Sequence, residues 1–142
     1  MDQLNNPVVI LAFVAWFITQ SIKYVLNRSR DSEAKFSDPG GMPSSHAAVV
    51  GAAATVIGLD TGLDSDVFGL ALVVAAIVVH DAYRVRWAVG EQARRLNDLL
   101  AVSSLADKSP VVVWKGHRMR ELAVGLLLGV GISWGFYAWL YA

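Results

Sequence analysis

The sequence contains no cysteine, so the chain can form neither disulfide bonds nor metal sites built on thiolates. It is also poor in charge, because Asp, Glu, Lys and Arg together make up 17% of its 142 residues, against about 25% in a typical soluble domain. Hydrophobic residues reach 55%. The length allows one domain, residues 1–142, and no more. The shortage of charge indicates that this domain is an integral membrane protein.

Charge is missing from four separate stretches, residues 7–22, 45–59, 67–80 and 122–142. A helix that spans a bilayer needs about 20 apolar residues, within a range of about 17–25. The first and last runs meet this length with their apolar flanks. The two middle runs need their polar flanks as well, and the alternative for them is a pair of buried or re-entrant helices. We expect an all-α fold, an integral membrane bundle of four transmembrane helices.

The twelve Lys and Arg residues occupy only two parts of the chain: four follow the first run and eight lie between the third and fourth. If all four runs span, both basic segments lie on one face of the membrane. The positive-inside rule makes that face cytoplasmic and places both termini outside. The first run lacks a basic leader and a small-residue cleavage site, so it reads as a retained helix. We expect the cell (inner) membrane as the location.

The pattern of residues predicts where the helices lie. We expect helices over about residues 7–26, from Ser44 or Ser45 onwards, over about 66–86, and from near Gly116 to the end. Apolar periodicity over residues 91–105 predicts a further short amphipathic helix at the membrane interface. The second helix is rich in small residues and should be central. The fourth carries two G-x-x-x-G spacings, which mark close packing either within the chain or between copies.

The stretch GGMPSSHAA, residues 40–48, stands at the start of the second helix. Pro43 suits a helix start, and Ser44 or Ser45 can cap it. The free N–H groups of a helix N-terminus bind anions, phosphate above all. Capping alone would explain the serines and the proline, but not His46 or the glycine pair.

The stretch GHRMRE places His117 and Glu121 four residues apart, on one face of a helix. A carboxylate there can hold one imidazole N–H and leave the other ring nitrogen free to attack an electrophile. The alternative is a pair that only satisfies two polar groups at a membrane surface. Arg118 and Arg120 are more typical of headgroup contacts.

The stretch DAYRVR ends the third helix. Asp81 can pair with Arg84 one turn on, and Arg84 and Arg86 cannot share a helical face because they are two residues apart. The arginine that faces the bundle would present a fork suited to phosphate oxygens, whereas the alternative for both is plain stop-transfer charge. With Lys23 at the end of the first helix, these groups form the set that phosphoryl transfer needs.

These motifs resemble the type 2 phosphatidic acid phosphatase and vanadium haloperoxidase superfamily, in which P-S-x-H is followed downstream by H-x-x-x-D/E. GGMPSSHAA, DAYRVRWAVGEQARRLN and GHRMRELAVGLLLG are similar to the motifs of its divergent, small membrane branch, and the resemblance covers about residues 23–129.

The resemblance implies metal-free dephosphorylation through a phosphohistidine, with no cofactor. His117 would be the nucleophile, Glu121 its orienting partner and His46 the acid for the leaving oxygen. Ser44, Ser45 and nearby N–H groups would cradle the phosphate, with Lys23 and Arg30 in the spacing of the first superfamily motif.

The sequence departs from the superfamily pattern at several positions. Ser45 replaces a glycine, Glu121 an aspartate, and Asp31 the proline after Arg30. Val111 stands where the superfamily has an arginine, so Arg86 would have to substitute for it. Against the divergent branch, Arg84 replaces a glycine and Trp87 an arginine.

The first hypothesis is therefore a membrane lipid-phosphate phosphatase that acts on phosphatidate-like or prenyl (di)phosphates at the cytoplasmic face. The second is a phospholipid-headgroup binder or carrier without turnover. The third is a metal site formed by His46, His117, Glu121 and Asp81. The partners we expect are a lipid phosphate and the membrane, and no nucleic acid. The glycine-rich fourth helix leaves open a second copy of the chain.

Overall fold

The computed structural model describes residues 6–29, 36, 41–103, 109–113 and 116–141, and in this part of the chain all regular structure is helical. The elements follow the order α1 (Pro7–Arg28), α2 (Ser45–Thr61), α3 (Asp66–His80), a π-helical turn (Asp81–Val85), α4 (Arg86–Ala101) and α5 (Met119–Tyr141). The all-α prediction is confirmed for the described residues.

Three helices are long and apolar enough to cross a membrane: Pro7–Arg28, the continuous helix Asp66–Ala101, and Met119–Trp139. The helix α2 has 17 residues, at the lower limit of about 17–25 for a span. A fourth spanning helix is therefore not confirmed. The three apolar helices agree with the prediction of a membrane protein.

The helix α2 lies at the centre of the bundle and packs against α1, α3 and α5, as its small residues predict. Gly125 and Gly129 of α5 face the carbonyl oxygens of Ser44 and Ala48 so closely that a Cβ at either glycine would collide with them. The first G-x-x-x-G spacing thus packs two helices of one chain together. Around the second, Gly131 and Gly135, no atom lies within 4 Å of a Cβ position.

The third helix and the expected amphipathic helix are one continuous helix of 36 residues. No proline interrupts residues 81–90, and a π-helical turn carries the chain from α3 into α4. Such a helix is about 54 Å long, longer than the hydrocarbon core of about 30 Å. A separate interfacial helix at 91–105 is not confirmed: α4 ends at Ala101, and the last two of those residues lie outside the described ones.

Polar groups at the helix termini lie at the two ends of the bundle. At one end, the Tyr137 hydroxyl of α5 donates a hydrogen bond of 2.6 Å to the Asp60 carboxylate of α2. At the other end, the last turns of α1, the first turn of α2, the π-helical turn and the start of α5 meet. That second end carries Lys23, His46 and His117.

Candidate active site

Glu121 holds the imidazole of His117 at the start of α5. Its Oε2 lies 3.1 Å from His117 Nδ1 and also accepts a hydrogen bond of 3.1 Å from the backbone N–H of Arg118. Arg118 precedes the first helical residue, so Glu121 stands at the third helical position and forms half of a capping box. When a neutral His117 donates its Nδ1–H to this carboxylate, Nε2 of the buried ring keeps its lone pair.

The backbone before α5 is fixed against the π-helical turn. The N–H of His117 donates a hydrogen bond of 3.2 Å to the carbonyl of Ala82. A Cβ on Gly116 would lie 2.7 Å from the backbone nitrogen of Trp87, so only glycine allows this approach. Turns of the π type are frequent at functional sites, and this one supports the segment that carries His117.

Asn97 of α4 holds the same segment further upstream. Its side-chain nitrogen donates to the Val111 carbonyl at 2.9 Å, and its side-chain oxygen accepts from the Val111 N–H at 2.7 Å. Sequence reasoning missed this residue, although Asn97 ends the stretch DAYRVRWAVGEQARRLN that carries the resemblance. Its position at the end of that motif was the available signal.

The first turn of α2 is joined to α5 through Ser44. Ser44 caps α2, since its Oγ accepts from the N–H of Ala47 at 3.5 Å. The Ser44 N–H donates to the Glu121 carbonyl at 3.1 Å, so this N–H is already used and does not face an empty cradle. The N–H groups of Ser45 and His46 have no acceptor within the helix because of their position, and they sit at its positive end.

His46 and His117 face each other across this junction. Their ring centroids are 6.5 Å apart with planes inclined by 59°. Arg86 Nη2 lies 3.2 Å from His46 Nε2, and Arg86 Nε lies 3.7 Å from Asp81 Oδ2. The site thus gathers two imidazoles, one guanidinium and two carboxylates, contributed by α2, α4, α5 and the π-helical turn.

The pairing of Asp81 differs from the prediction. The sequence indicates that Asp81 can pair with Arg84, but its described ion pair is with Arg86, five residues on. The π-helical turn between them causes the change, since an i→i+5 turn places residues five apart on one face. Arg84 is exposed, and Arg86 is the arginine of this pair that reaches the site.

Lys23 approaches the site from α1. Its side chain is buried, and its positive charge is one of several that act on His46. Gly41, with φ at +83°, lets the chain before α2 pass close to Lys23 and Asn27. Arg30, the second basic residue of that motif, lies outside the described residues.

His46 lies outside the three candidate spans, and its pKa is lowered. Burial is the largest cause, and the positive charge of Arg86 is the next. His117 and Lys23 act in the same direction, whereas Asp81 opposes them. The site without an anion therefore favours a neutral His46.

The metal hypothesis finds no ligand set here. Among the described residues, no group of three or more His, Asp or Glu side chains could hold a metal ion. His117 and Glu121 contact each other, and His46 contacts Arg86, whose positive charge is unfavourable beside a cation.

Comparison with known proteins gives a family and one relative. The model of the Divergent PAP2 family matches residues 4–132. The uncharacterized membrane protein YuiD of Bacillus subtilis (strain 168) is 38% identical over 104 residues, which cover 70% of this chain. The match spans 65% of that relative's length. No solved structure matches the chain.

Proposed function

The chain belongs to the divergent PAP2 family, and on this premise we propose that it is a membrane lipid-phosphate phosphatase. It hydrolyses a phosphomonoester or diphosphate on a phosphatidate-like or prenyl lipid through a phosphohistidine. The observation that carries this proposal is the arrangement of the two imidazoles. His117, held by Glu121 at 3.1 Å, faces His46 at a centroid distance of 6.5 Å.

The reaction has two steps. In the first, His117 Nε2 attacks phosphorus, the bond from phosphorus to the lipid oxygen breaks, and His46 gives that oxygen a proton. In the second, water attacks the phosphorus of the phosphohistidine and gives a proton to His46, the bond from phosphorus to Nε2 breaks, and inorganic phosphate leaves the free imidazole. Lys23 and Arg86 offset the negative charge of the equatorial oxygens. The N–H groups that begin α2 receive the same oxygens.

The orientation in the membrane that we propose follows from the positions of the basic residues. The helix α2 crosses the membrane as the fourth transmembrane helix, with its first turn and His46 at the membrane surface. Both termini lie outside, and the site lies at the cytoplasmic face of the cell membrane. Arg84, Arg94 and Arg95 are exposed near this end of the long helix, where anionic headgroups would meet them.

Phosphate release from a panel of lipid phosphates by the purified protein tests the proposal. We expect release by the wild type, inhibition by vanadate, no effect of a chelator, and loss of turnover in His117→Ala. His80→Ala is the matched control, because His80 is exposed and lies outside the site cluster. Turnover that survives in His117→Ala, or that a chelator abolishes, contradicts the phosphohistidine. Lipid binding without any turnover would replace the phosphatase by the headgroup-binding alternative.

Substrates with different leaving groups test the role of His46 as the acid. Positioned acid catalysis contributes about 10²–10⁴-fold, so His46→Ala should lose about that factor on an alkyl phosphate. The loss should shrink on an aryl phosphate, whose leaving group needs no proton. An equal loss on both substrates would assign His46 to binding rather than to proton transfer.

A further inference from the structure

The proposed reaction needs His46 to donate a proton, and Nε2 is the ring nitrogen that lies beside Arg86, the proposed phosphate ligand. The site without an anion keeps that atom as an acceptor. Arg86 Nη2 lies 3.2 Å from Nε2. A guanidinium has donors only, so this contact is a hydrogen bond only if Nε2 carries a lone pair. A neutral imidazole of this kind has its one proton on Nδ1. His46 therefore begins with no proton on the nitrogen that faces Arg86, the group proposed to bind the phosphate.

The surroundings of His46 maintain this state. The groups that face it from the neighbouring elements are Lys23 of α1, Arg86 of α4, Asp81 of the π-helical turn and His117 before α5. Burial and the positive charges of Arg86 and Lys23 disfavour a positive imidazole, and of these groups Asp81 favours it. Asp81 also holds Arg86 in place at 3.7 Å. Asp81 and the Nε2 atom of His46 therefore both contact Arg86 while no anion is present.

A bound phosphoryl dianion changes two things: the partner of Arg86, and the charge around His46. Its oxygens accept hydrogen bonds and donate none, so a guanidinium and an imidazolium can both point at one anion. The two negative charges offset the positive groups around His46. Arg86 and Asp81 have about half-exposed side chains, so the guanidinium has room to turn from His46 towards the anion.

We propose that binding of a tetrahedral dianion moves Arg86 from His46 to the anion and takes up one proton from solvent onto His46. His46 thus becomes protonated only when a phosphoryl group is present. Asp81 acts as a positioning residue in this exchange, because it holds Arg86 within reach of both partners. The inference rests on the proposed function, since the natural dianion would be the phosphoryl group of the substrate.

Sulfate is the probe for the test, because it remains a dianion across the neutral range and brings no proton of its own. Calorimetric titration of the purified protein in buffers of different ionisation enthalpy measures the protons taken up. We expect uptake approaching one proton, and a sulfate Kd that rises by up to about tenfold per pH unit between the lowered pKa of free His46 and the raised pKa of His46 beside the anion. His46→Gln should flatten this pH dependence, whereas His80→Gln should leave it unchanged.

Nitrogen NMR of the wild-type imidazoles gives a second readout that needs no variant of the site. His46 should change from a neutral ring with a free Nε2 to an imidazolium as sulfate is added. Sulfate binding without proton uptake, or uptake that persists in His46→Gln, would overturn the inference and leave the phosphatase proposal standing. Lack of both sulfate binding and phosphate release would overturn the two together.

Discussion

Asn97 and Val111, 14 residues apart in the chain, are joined by two hydrogen bonds of 2.9 and 2.7 Å between the Asn97 amide and the Val111 backbone. The amide donates to the carbonyl and accepts from the N–H, as a neighbouring strand would. It ties the irregular segment before α5 to the end of α4. This attachment lies six residues before His117, at the position where the superfamily has an arginine. Val111 contributes its backbone there, and α4 holds the segment through Asn97.

Loss of this attachment should lower turnover. We expect Asn97→Ala to reduce kcat by about 10–100-fold, because small displacements of a reacting group cost factors of this size. KM should change little, since Lys23, Arg86 and the start of α2 remain. Steady-state kinetics on a lipid phosphate measures both constants. Asp98→Ala, at the exposed neighbouring position, is the control, and equal kcat values in the two variants would contradict a positioning role for Asn97.

Replacement of the His117 partner tests the orientation of the nucleophile. Glu121→Gln keeps an oxygen near Nδ1 but loses the charge and can also present an N–H, which favours the wrong tautomer. We expect kcat to fall by about 10²–10⁴-fold, less than the complete loss in His117→Ala. Glu121→Asp should retain more activity than Glu121→Gln, since the superfamily has aspartate there. The reverse order would assign Glu121 to capping of α5 alone.

The two G-x-x-x-G spacings of α5 should respond differently to substitution. Gly125→Ala adds a Cβ against the Ser44 carbonyl, and overpacking of this kind costs about 1–3 kcal/mol. Gly131→Ala meets no atom within 4 Å, so the free energy of unfolding should stay level or rise by about 0.5–1 kcal/mol from helix propensity. Thermal unfolding in detergent compares the pair. A similar loss in both would show that the Gly131 face is also packed, for instance against a second copy.

The orientation in the membrane can be read with single cysteines, because the chain has none of its own. Leu63, 73% exposed between α2 and α3, should be labelled by an impermeant thiol reagent in intact cells when replaced by cysteine. Cysteine at the exposed Ser103, beyond α4, should be labelled only after lysis. The opposite pattern would place the site on the outer face.

The sequence by itself determined the features that depend on neighbouring residues. The uncharged runs gave the helices, with α1 beginning at Pro7 as predicted and ending two residues later than expected. The start of α2 at Ser45 follows from the cap at Ser44. The pair of His117 and Glu121 also follows from local geometry, because residues four apart on a helix lie side by side whatever the rest of the chain does.

Only the tertiary structure decided the contacts that depend on packing and on helical register. The π-helical turn places Arg86, and not Arg84, beside Asp81. Helices are predicted from apolar residues that recur every 3.6 positions, and this pattern does not reveal a π-helical turn. The choice between Gly125 and Gly131 as the packed face depends on where α5 crosses α2. The distance between His46 and His117 depends on that same crossing, since two helix N-termini 74 residues apart meet only when the bundle closes.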